Sequence, residues 1–171
     1  MKTILLDYLK PTKRFENLSV CLGYFDGVHL GHKSLITYAR KNAKYDLGLF
    51  TFAKPISSFV DNGKKKEVLT SLDDRFRIIS KLGVDYYFVL QIDKKFTELT
   101  SEEFINMLKS MNVKEIFVGK DFRFGKNAEG KISELKDYFD VHVVDIENID
   151  GEKISAQRIA DLIQNGEVKT A

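Results

Sequence analysis

Short apolar runs alternate along this chain with longer stretches in which apolar and polar residues repeat at helical spacing. Several of the runs are apolar almost throughout, which is typical of strands that are covered on both faces of a parallel sheet. The runs predict five strands: Leu18–Tyr24, Leu47–Phe52, Tyr86–Leu90, Glu115–Val118 and Val141–Asp145.

The stretches between these runs predict helices. His32–Ala43 and Leu72–Leu82 carry apolar side chains three or four positions apart, and Gly83 is a stop signal for the second of them. A third helix opens at Thr100, and a fourth covers Ser155–Asn165. Strands that alternate with helices form crossover units, so the sequence predicts an α/β fold with a doubly wound, mostly parallel five-stranded sheet.

Composition narrows the class of protein. The 171 residues are 43% hydrophobic and 30% charged, which fits one domain over residues 1–171. Lys and Arg number 27 against 25 Asp and Glu, a balance too even to indicate a nucleic-acid or membrane partner. Cys21 is the only cysteine, which fits a reducing compartment, and no apolar run has the length of a signal peptide or a membrane span. We therefore expect a cytoplasmic location.

Candidate chemistry is concentrated in Gly23–His32, which follows the first predicted strand and leads into a helix. Ligands of such sheets bind where the carboxyl ends of strands meet the amino ends of helices. A helix amino terminus offers free N–H groups and a partial positive charge, which suit phosphate. Gly27 and Gly31 allow close approach of the backbone, and His29 and His32 could face the same anion. The segment predicts a phosphate site, with incidental capping or surface histidines as the alternative.

Two common phosphate-binding fingerprints do not fit this chain. No G-x-G-x-x-G follows the first predicted strand. Five residues separate Gly119 from Gly125, one more than in a P-loop, and Asn127 stands where Ser or Thr would hold magnesium. A kinase of the P-loop type is therefore disfavoured.

The ten residues of Gly23–His32 resemble the G-x-F-D-G-V-H-x-G-H signature of bacterial FAD synthetases, the FMN adenylyltransferase module of the bifunctional riboflavin kinase/FAD synthetase family. The resemblance continues in chain order through Leu69-Thr70, Gly83-Val84-Asp85, Ser101–Phe104, Val118–Gly125, Ile154-Ser155 and Gly166–Val168. It implies a Rossmann-like nucleotidyltransferase fold of the H-x-G-H type. The sequence stops where the family's riboflavin kinase module would begin, so kinase activity is not expected.

The resemblance implies that AMP passes from MgATP to FMN, which gives FAD and pyrophosphate. Because the FMN phosphate is already ionised, no general base or protein nucleophile is needed, and catalysis rests on positioning and charge stabilisation. His29 and His32 would be the catalytic residues that contact phosphate. Mg²⁺ would be held mainly by phosphate oxygens and waters, which fits the lack of a carboxylate cluster in the sequence; which residues contact the ion is left open.

The resemblance also assigns residues to the two substrates. The ATP-binding candidates are Gly23, Phe25, Asp26, Gly27, His29, Gly31, His32, Ser155 and Arg158. The FMN-binding candidates are Phe52, Pro55, Asp121, Phe122, Arg123 and Phe124. For Phe122 and Phe124 the alternative role is to pin their loop in the core.

Two segments depart from the family's pattern. Thr51–Ile56 resembles T-F-x-P-H-P but lacks its His-Pro pair, which leaves open a nucleotidyltransferase for another phosphorylated acceptor. In the family's final motif, I-S-S-T-x-I-R, Ala160 replaces the Arg that would reach the ATP phosphates. Arg158 stands in the variable position, roughly 200° around the helix from position 160. Weak activity, or a non-catalytic nucleotide- or flavin-binding homologue, is the corresponding alternative.

Overall fold

Six strands, all parallel, form one sheet in the described part of the chain. The computed structural model describes residues 1–10, 15–60, 68–145 and 155–170. The strands are β1 (Lys2–Asp7), β2 (Leu18–Leu22), β3 (Leu47–Phe52), β4 (Tyr86–Gln91), β5 (Val113–Gly119) and β6 (Asp140–Val144), in the order β1-β4-β3-β2-β5-β6. The helices are α1 (Leu30–Asn42), α2 (Ser57–Val60), α3 (Leu72–Ile79), α4 (Ser101–Ser110), α5 (Ile132–Lys136) and α6 (Ala156–Gln164).

Helices cover both faces of the sheet, because successive side chains of a strand point to opposite sides. On one face α1 buries Leu35 and Ile36 in a cluster that includes Cys21 of β2. On the other face α4 buries Leu108 in a cluster that includes Val20 of the same strand. Since β2 is buried on both faces, its sequence is an almost continuous apolar run.

The α/β, doubly wound prediction is confirmed, and its strand count is wrong by one. The sheet has a sixth strand, β1, and is parallel throughout rather than mostly parallel. β1 lies at the edge of the sheet, where only Leu6 is buried. An edge strand with one buried side chain carries too weak an apolar pattern to be recognised in the sequence.

Element boundaries differ from the predicted ones by one to three residues. β2 ends at Leu22 rather than Tyr24, because the chain turns at Phe25 into the left-handed region. β6 begins and ends one residue before the predicted strand. α3 ends at Ile79, and Ser80–Leu82 continues it as a 3₁₀ turn. Neither α2 nor α5 was predicted, because four or five residues are too few to show a helical repeat.

The strand order reverses at β2, which is where such sheets bind ligands. From β2 the chain passes through α1 to β3 on one side, while β5 lies against β2 on the other side. The turn into α1 and the loop after β5 therefore open at the same edge of the sheet. In the described ranges, no helix is both long and apolar enough to cross a membrane.

Candidate functional site

The connection from β2 to α1 is a tight turn in an uncommon backbone conformation. Phe25, Gly27 and Val28 have positive φ angles of 57°, 71° and 39°. At Gly27 a side chain would also collide, since a Cβ would lie 2.8 Å from Cδ1 of Leu69. Non-glycine residues at positive φ cost free energy and persist where surrounding contacts hold them, often at functional sites. This turn must therefore be supported by its neighbours.

The carboxylate of Asp26 supplies that support. It is 5% exposed and accepts hydrogen bonds from the N–H groups of Gly27, Leu69 and Thr70 at 2.9–3.0 Å. It also accepts from the Thr70 hydroxyl at 2.9 Å, and that hydroxyl accepts from the Gly27 N–H at 2.9 Å. Asp26, an ATP-binding candidate, is thus engaged inside the protein, where it ties the turn to the segment before α3.

His29 and His32 lie against each other at the amino terminus of α1. His29 caps the helix, because its Nδ1 accepts the N–H of His32 at 3.4 Å. The two rings stack with centroids 3.7 Å apart, and the ring of Phe25 backs His32 at 5.1 Å. Phe25 is fully buried, and Gly31 is buried in the first turn of α1. The structure thus brings the two predicted catalytic residues together, and the Phe25 side chain supports His32 from behind.

Both imidazoles are uncharged at pH 7. Burial, together with the neighbouring His29, lowers the pKa of His32 to about 3. Burial also lowers the pKa of His29. Because Nδ1 of His29 accepts a hydrogen bond, the ring proton is assigned to Nε2, which is then a donor. A neutral donor at a helix amino terminus can bind an anion without titrating near neutral pH.

An aromatic cleft of about 660 Å³ opens at the carboxyl ends of the central strands. This volume lies within the range of small-molecule sites. Leu22, Gly23, Phe50 and Leu90 line the cleft from the strands, and residues 96–99, 121–125, 127 and 128 line it as walls. The cleft is lined mainly by apolar and aromatic side chains, with a few polar groups at its rim, a composition that suits a flat conjugated ring.

Five of the six residues predicted to bind FMN line the cleft: Phe52, Asp121, Phe122, Arg123 and Phe124. Pro55 lies outside this set, whereas its neighbour Ile56 belongs to it. The rings of Phe122 and Phe124 stack at 6.0 Å, and Phe124 is buried against Phe104 at 5.1 Å. The aromatic pair therefore both pins its loop to the core and forms part of the cleft wall.

The loop after β5 is closed and tied to the opposite wall. The N–H of Gly130 donates to the carbonyl of Phe124 at 2.9 Å, which closes the loop. Lys126 donates its N–H to the Leu99 carbonyl at 2.6 Å, and its ammonium pairs with Glu98 at 2.7 Å. Residues 96–99 and 121–128 are thereby held together as one wall.

The cleft and the histidine pair adjoin at the end of β2. Gly23 lines the cleft, and the turn to His29 begins directly after it. Burial is the main reason that the pKa of His32 is lowered, and the negative charge of Asp121 partly opposes this effect. Asp121 at the cleft rim is therefore close enough to act electrostatically on His32. One end of the cleft therefore meets the predicted phosphate site.

The remaining ATP-binding candidates belong to α6. Ser155 is the N-cap of this helix, and its hydroxyl accepts the N–H of Arg158 at 3.2 Å. Arg158 and Ala160 are both partly buried. Ile154, which precedes them in the motif, lies outside the described residues. Contact of Ser155 or Arg158 with ATP stays a prediction.

One group of acidic and histidine side chains in the described residues is close enough to hold a metal ion. It comprises Glu115, Asp140 and His142, at the amino ends of the strands and so opposite the histidine pair. Glu115 is 1% exposed and already accepts hydrogen bonds from Ser19 and from the backbone of Lys44. The Lys44 ammonium lies 2.6 Å from Asp140. The group is an internal charge network that joins three strands to the end of α1.

Sequence reasoning missed Arg75, which is 1% exposed in α3. It stands three residues after Leu72 and four before Ile79, so it lies on the apolar stripe of the helix. A charged residue on such a stripe is the signal that could have identified it. Its hydrogen bonds go to Tyr24, Thr51 and Phe52, all at the site.

Known proteins resemble this chain over most of its length. The sequence profile of the FAD synthetase family matches residues 12–160. The bifunctional riboflavin kinase/FMN adenylyltransferase of Listeria monocytogenes is 34% identical over 182 positions, which cover all of this chain and 58% of that protein. The Bacillus subtilis protein of the same name is 32% identical over 161 positions, which cover 89% of this chain and 51% of that protein. The chain thus spans little more than half the length of these relatives.

A solved structure resembles the fold. The crystal structure of a Streptococcus pneumoniae protein, described as a macrolide-efflux protein, matches with a TM-score of 0.87 at 30% identity. The match covers 100% of this chain and 60% of that one. From the profile match over residues 12–160, together with the H-x-G-H turn on a parallel sheet, we conclude that the chain belongs to the FAD synthetase family.

Proposed function

We propose that this chain transfers AMP from MgATP to FMN, forming FAD and releasing pyrophosphate. The observation that carries the proposal is that an aromatic cleft adjoins a pair of uncharged histidines in a member of the FAD synthetase family. The names of the Listeria and Bacillus relatives support FMN as the acceptor.

In the proposed reaction a phosphate oxygen of FMN attacks the α-phosphorus of ATP. The bond from that phosphorus to the bridging oxygen of the departing pyrophosphate breaks at the same centre. A phosphate monoester has its second pKa near about 6, so FMN is ionised at pH 7 and no protein base needs to act. The protein then has to hold the two phosphates in line and stabilise the negative charge that develops.

The histidine pair and the amino terminus of α1 would stabilise that charge. The Nε2–H of His29 would donate to a phosphate oxygen, with His32 stacked beside it. Free N–H groups in the first turn of α1 would add further donors, and Gly31 leaves the backbone there uncovered by a side chain. Gly23 and Gly27 would allow the nucleotide to approach the turn closely.

The aromatic cleft would hold the flavin. Phe52, Phe122 and Phe124 offer apolar faces to the ring. Pro55 lies outside the cleft lining, so its contact with the flavin stays a prediction. Asp121 and Arg123 are exposed at the rim, where they could bind the polar edge of the ring or its phosphate-bearing chain. Ser155 of α6 would contact ATP, and Arg158 would add only a weak contact from the variable position of the motif.

The donor set at the site fits a magnesium ion that enters with ATP. The Asp26 carboxylate is occupied by four internal hydrogen bonds, and the cluster around Glu115 lies at the other ends of the strands. Phosphate oxygens and waters would therefore be the main ligands of the ion. Bound Mg²⁺ would offset negative charge on the phosphates.

The proposal extends to the organisation of the chain. We propose that residues 1–171 act as one FMN adenylyltransferase-like domain, since one sheet joins residues from Lys2 to Val144. A cytoplasmic location remains part of the proposal. The family match does not favour a non-catalytic binding protein or a different phosphorylated acceptor.

The test is to incubate the chain with MgATP and one acceptor at a time, and to measure pyrophosphate release and FAD. FMN should give both products in equal amounts, and riboflavin, which lacks the accepting phosphate, should give neither. Nicotinamide mononucleotide serves as a phosphorylated acceptor without a flavin ring. Pyrophosphate with that acceptor alone, or flavin binding without any pyrophosphate, would contradict the proposal and support one of the two alternatives.

A further inference from the structure

A buried arginine lies behind the strand ends that form the site. Nη1 of Arg75 donates hydrogen bonds to the carbonyl oxygens of Tyr24 at 3.1 Å and Phe52 at 3.0 Å, and to the Thr51 hydroxyl at 3.0 Å. The Thr51 hydroxyl in turn donates to the Tyr24 carbonyl at 2.7 Å. One nitrogen atom therefore joins three oxygens, one from just beyond β2 and two from the end of β3.

These three oxygens belong to the two halves of the proposed site. Tyr24 directly precedes the turn that carries Phe25 and the histidines, whereas Thr51 and Phe52 end β3. Tyr24 and Phe52 both line the cleft, and their rings stack at 6.4 Å. Arg75 is not among the residues that line the cleft. It can act on the reaction only through the backbone that it holds.

Among the described residues, the buried guanidinium of Arg75 has no carboxylate partner. In the described ranges no carboxylate oxygen lies within 4.0 Å of the guanidinium, and its hydrogen-bond partners are uncharged. The Tyr24 ring faces it, with 4.8 Å between the guanidinium carbon and the ring centroid. Burying a charge without an opposite charge is costly, so its surroundings must be tightly arranged to hold it. The positive charge lies beneath an edge that is proposed to bind phosphates.

We infer that Arg75 is a positioning residue for AMP transfer. It keeps the turn that carries His29 and His32 in fixed register with the end of β3, where Phe52 lines the cleft, so that the flavin phosphate meets the histidine pair. Asp26 fixes the same turn from its other end, through the N–H groups of Leu69 and Thr70 just before α3. The inference rests on the proposed function.

The geometry predicts an unusual pattern of rescue. Arg and Lys are not interchangeable where two nitrogens bind in parallel, but here a single nitrogen makes all three contacts. A Lys ammonium has three donors and can meet three acceptors at one point. Arg75→Met should raise the KM for FMN by about tenfold or more and lower kcat, because it leaves buried oxygens unpaired. Arg75→Lys should recover most of that loss.

The control is Glu115→Gln, which neutralises another buried charge at the opposite ends of the strands. It should lower the melting temperature but leave the KM for FMN unchanged. All variants are compared well below their melting temperatures, and FMN binding is measured separately by quenching of flavin fluorescence. A wild type that forms no FAD would refute the proposed function. An active wild type with an Arg75→Met variant that matches Glu115→Gln in KM and in FMN binding would refute the role of Arg75.

A second variant covers the case in which Arg75→Met does not fold. Thr51→Val keeps the shape of the side chain but removes the hydroxyl that bonds both Arg75 and Tyr24. It should raise the KM for FMN by about threefold to tenfold, because it removes the two hydrogen bonds of that hydroxyl but leaves the bonds from Arg75 to the Tyr24 and Phe52 carbonyls in place. If Arg75→Met does not fold, an unchanged KM and unchanged FMN binding in Thr51→Val would refute the positioning role of Arg75.

Discussion

Acidification should destabilise this protein through His32. Burial lowers the pKa of His32 in the folded chain to about 3, against 6.5 for an unperturbed histidine. Between these two values the unfolded chain binds a proton that the folded chain does not bind. The free energy of unfolding therefore rises with pH across this window, and it falls as the pH is lowered from 6.5 towards 3.

The size of the effect follows from the two pKa values. Each unit of pKa difference corresponds to about 1.36 kcal/mol, and only the part of the window that is crossed counts. With values of 6.5 and 3, lowering the pH from 7 to 5 removes about 2 kcal/mol of unfolding free energy. Because His32 is only partly buried, screening by solvent reduces this to roughly 1–2 kcal/mol. His29, whose pKa is also lowered by burial, adds a loss of the same sign.

The assay is denaturant unfolding at pH 7 and pH 5 for the wild type and for His32→Asn. Asparagine does not titrate, so the variant should lose about 1–2 kcal/mol less than the wild type between the two pH values. Since the chain has three histidines, NMR of the ring resonances can follow each one, with assignment by substitution. Equal pH dependence in both proteins, or a His32 resonance that titrates near pH 6.5, would refute the reasoning.

Three further substitutions test single contacts of the site. His29→Asn keeps a side chain that can cap α1 but removes the imidazole donor. We expect kcat to fall by about 10²–10³-fold while the melting temperature changes little. An unchanged kcat would count against a phosphate-binding role for His29. Asp26→Asn replaces one carboxylate oxygen, which accepts hydrogen bonds from backbone N–H groups, with an NH₂ group that can only donate. Denaturant titration should therefore show a free energy of unfolding that is lower by about 1–3 kcal/mol. An unchanged free energy of unfolding would show that the hydrogen-bond network is dispensable. Ala160→Arg should strengthen ATP binding about tenfold or more in a steady-state titration, with Arg158→Ala as a control of little effect. The reverse result would make Arg158 the phosphate anchor.

The sequence was sufficient where one strong local pattern decided the structure. β3 is buried almost throughout, so its apolar run predicted both of its ends correctly. Thr100 caps α4 with Glu103 in a reciprocal pair of hydrogen bonds, and this signal predicted where the helix begins. His29 and His32 are three residues apart at a helix start, so local geometry alone brings them together.

What the sequence could not show depends on contacts between distant segments. The Asp26 carboxylate meets Leu69 and Thr70, which are more than forty positions away, so nothing local separates its internal role from ligand binding. Arg75 reaches Tyr24 across 51 positions. The cleft itself forms only when the loops after β2, β3, β4 and β5 meet at one edge of the sheet.

The proposed adenylyl transfer can be followed directly with ATP labelled at the α-phosphate. The chain is mixed with labelled ATP, Mg²⁺ and FMN, and the label is located by chromatography at successive times, with a variant carrying both His29→Asn and His32→Asn run in parallel. We expect the label to appear in FAD in step with unlabelled pyrophosphate, and to remain in ATP with the double variant. Label that stays in ATP with the wild type, or that reaches FAD equally fast with the double variant, would contradict a reaction carried by the histidine turn.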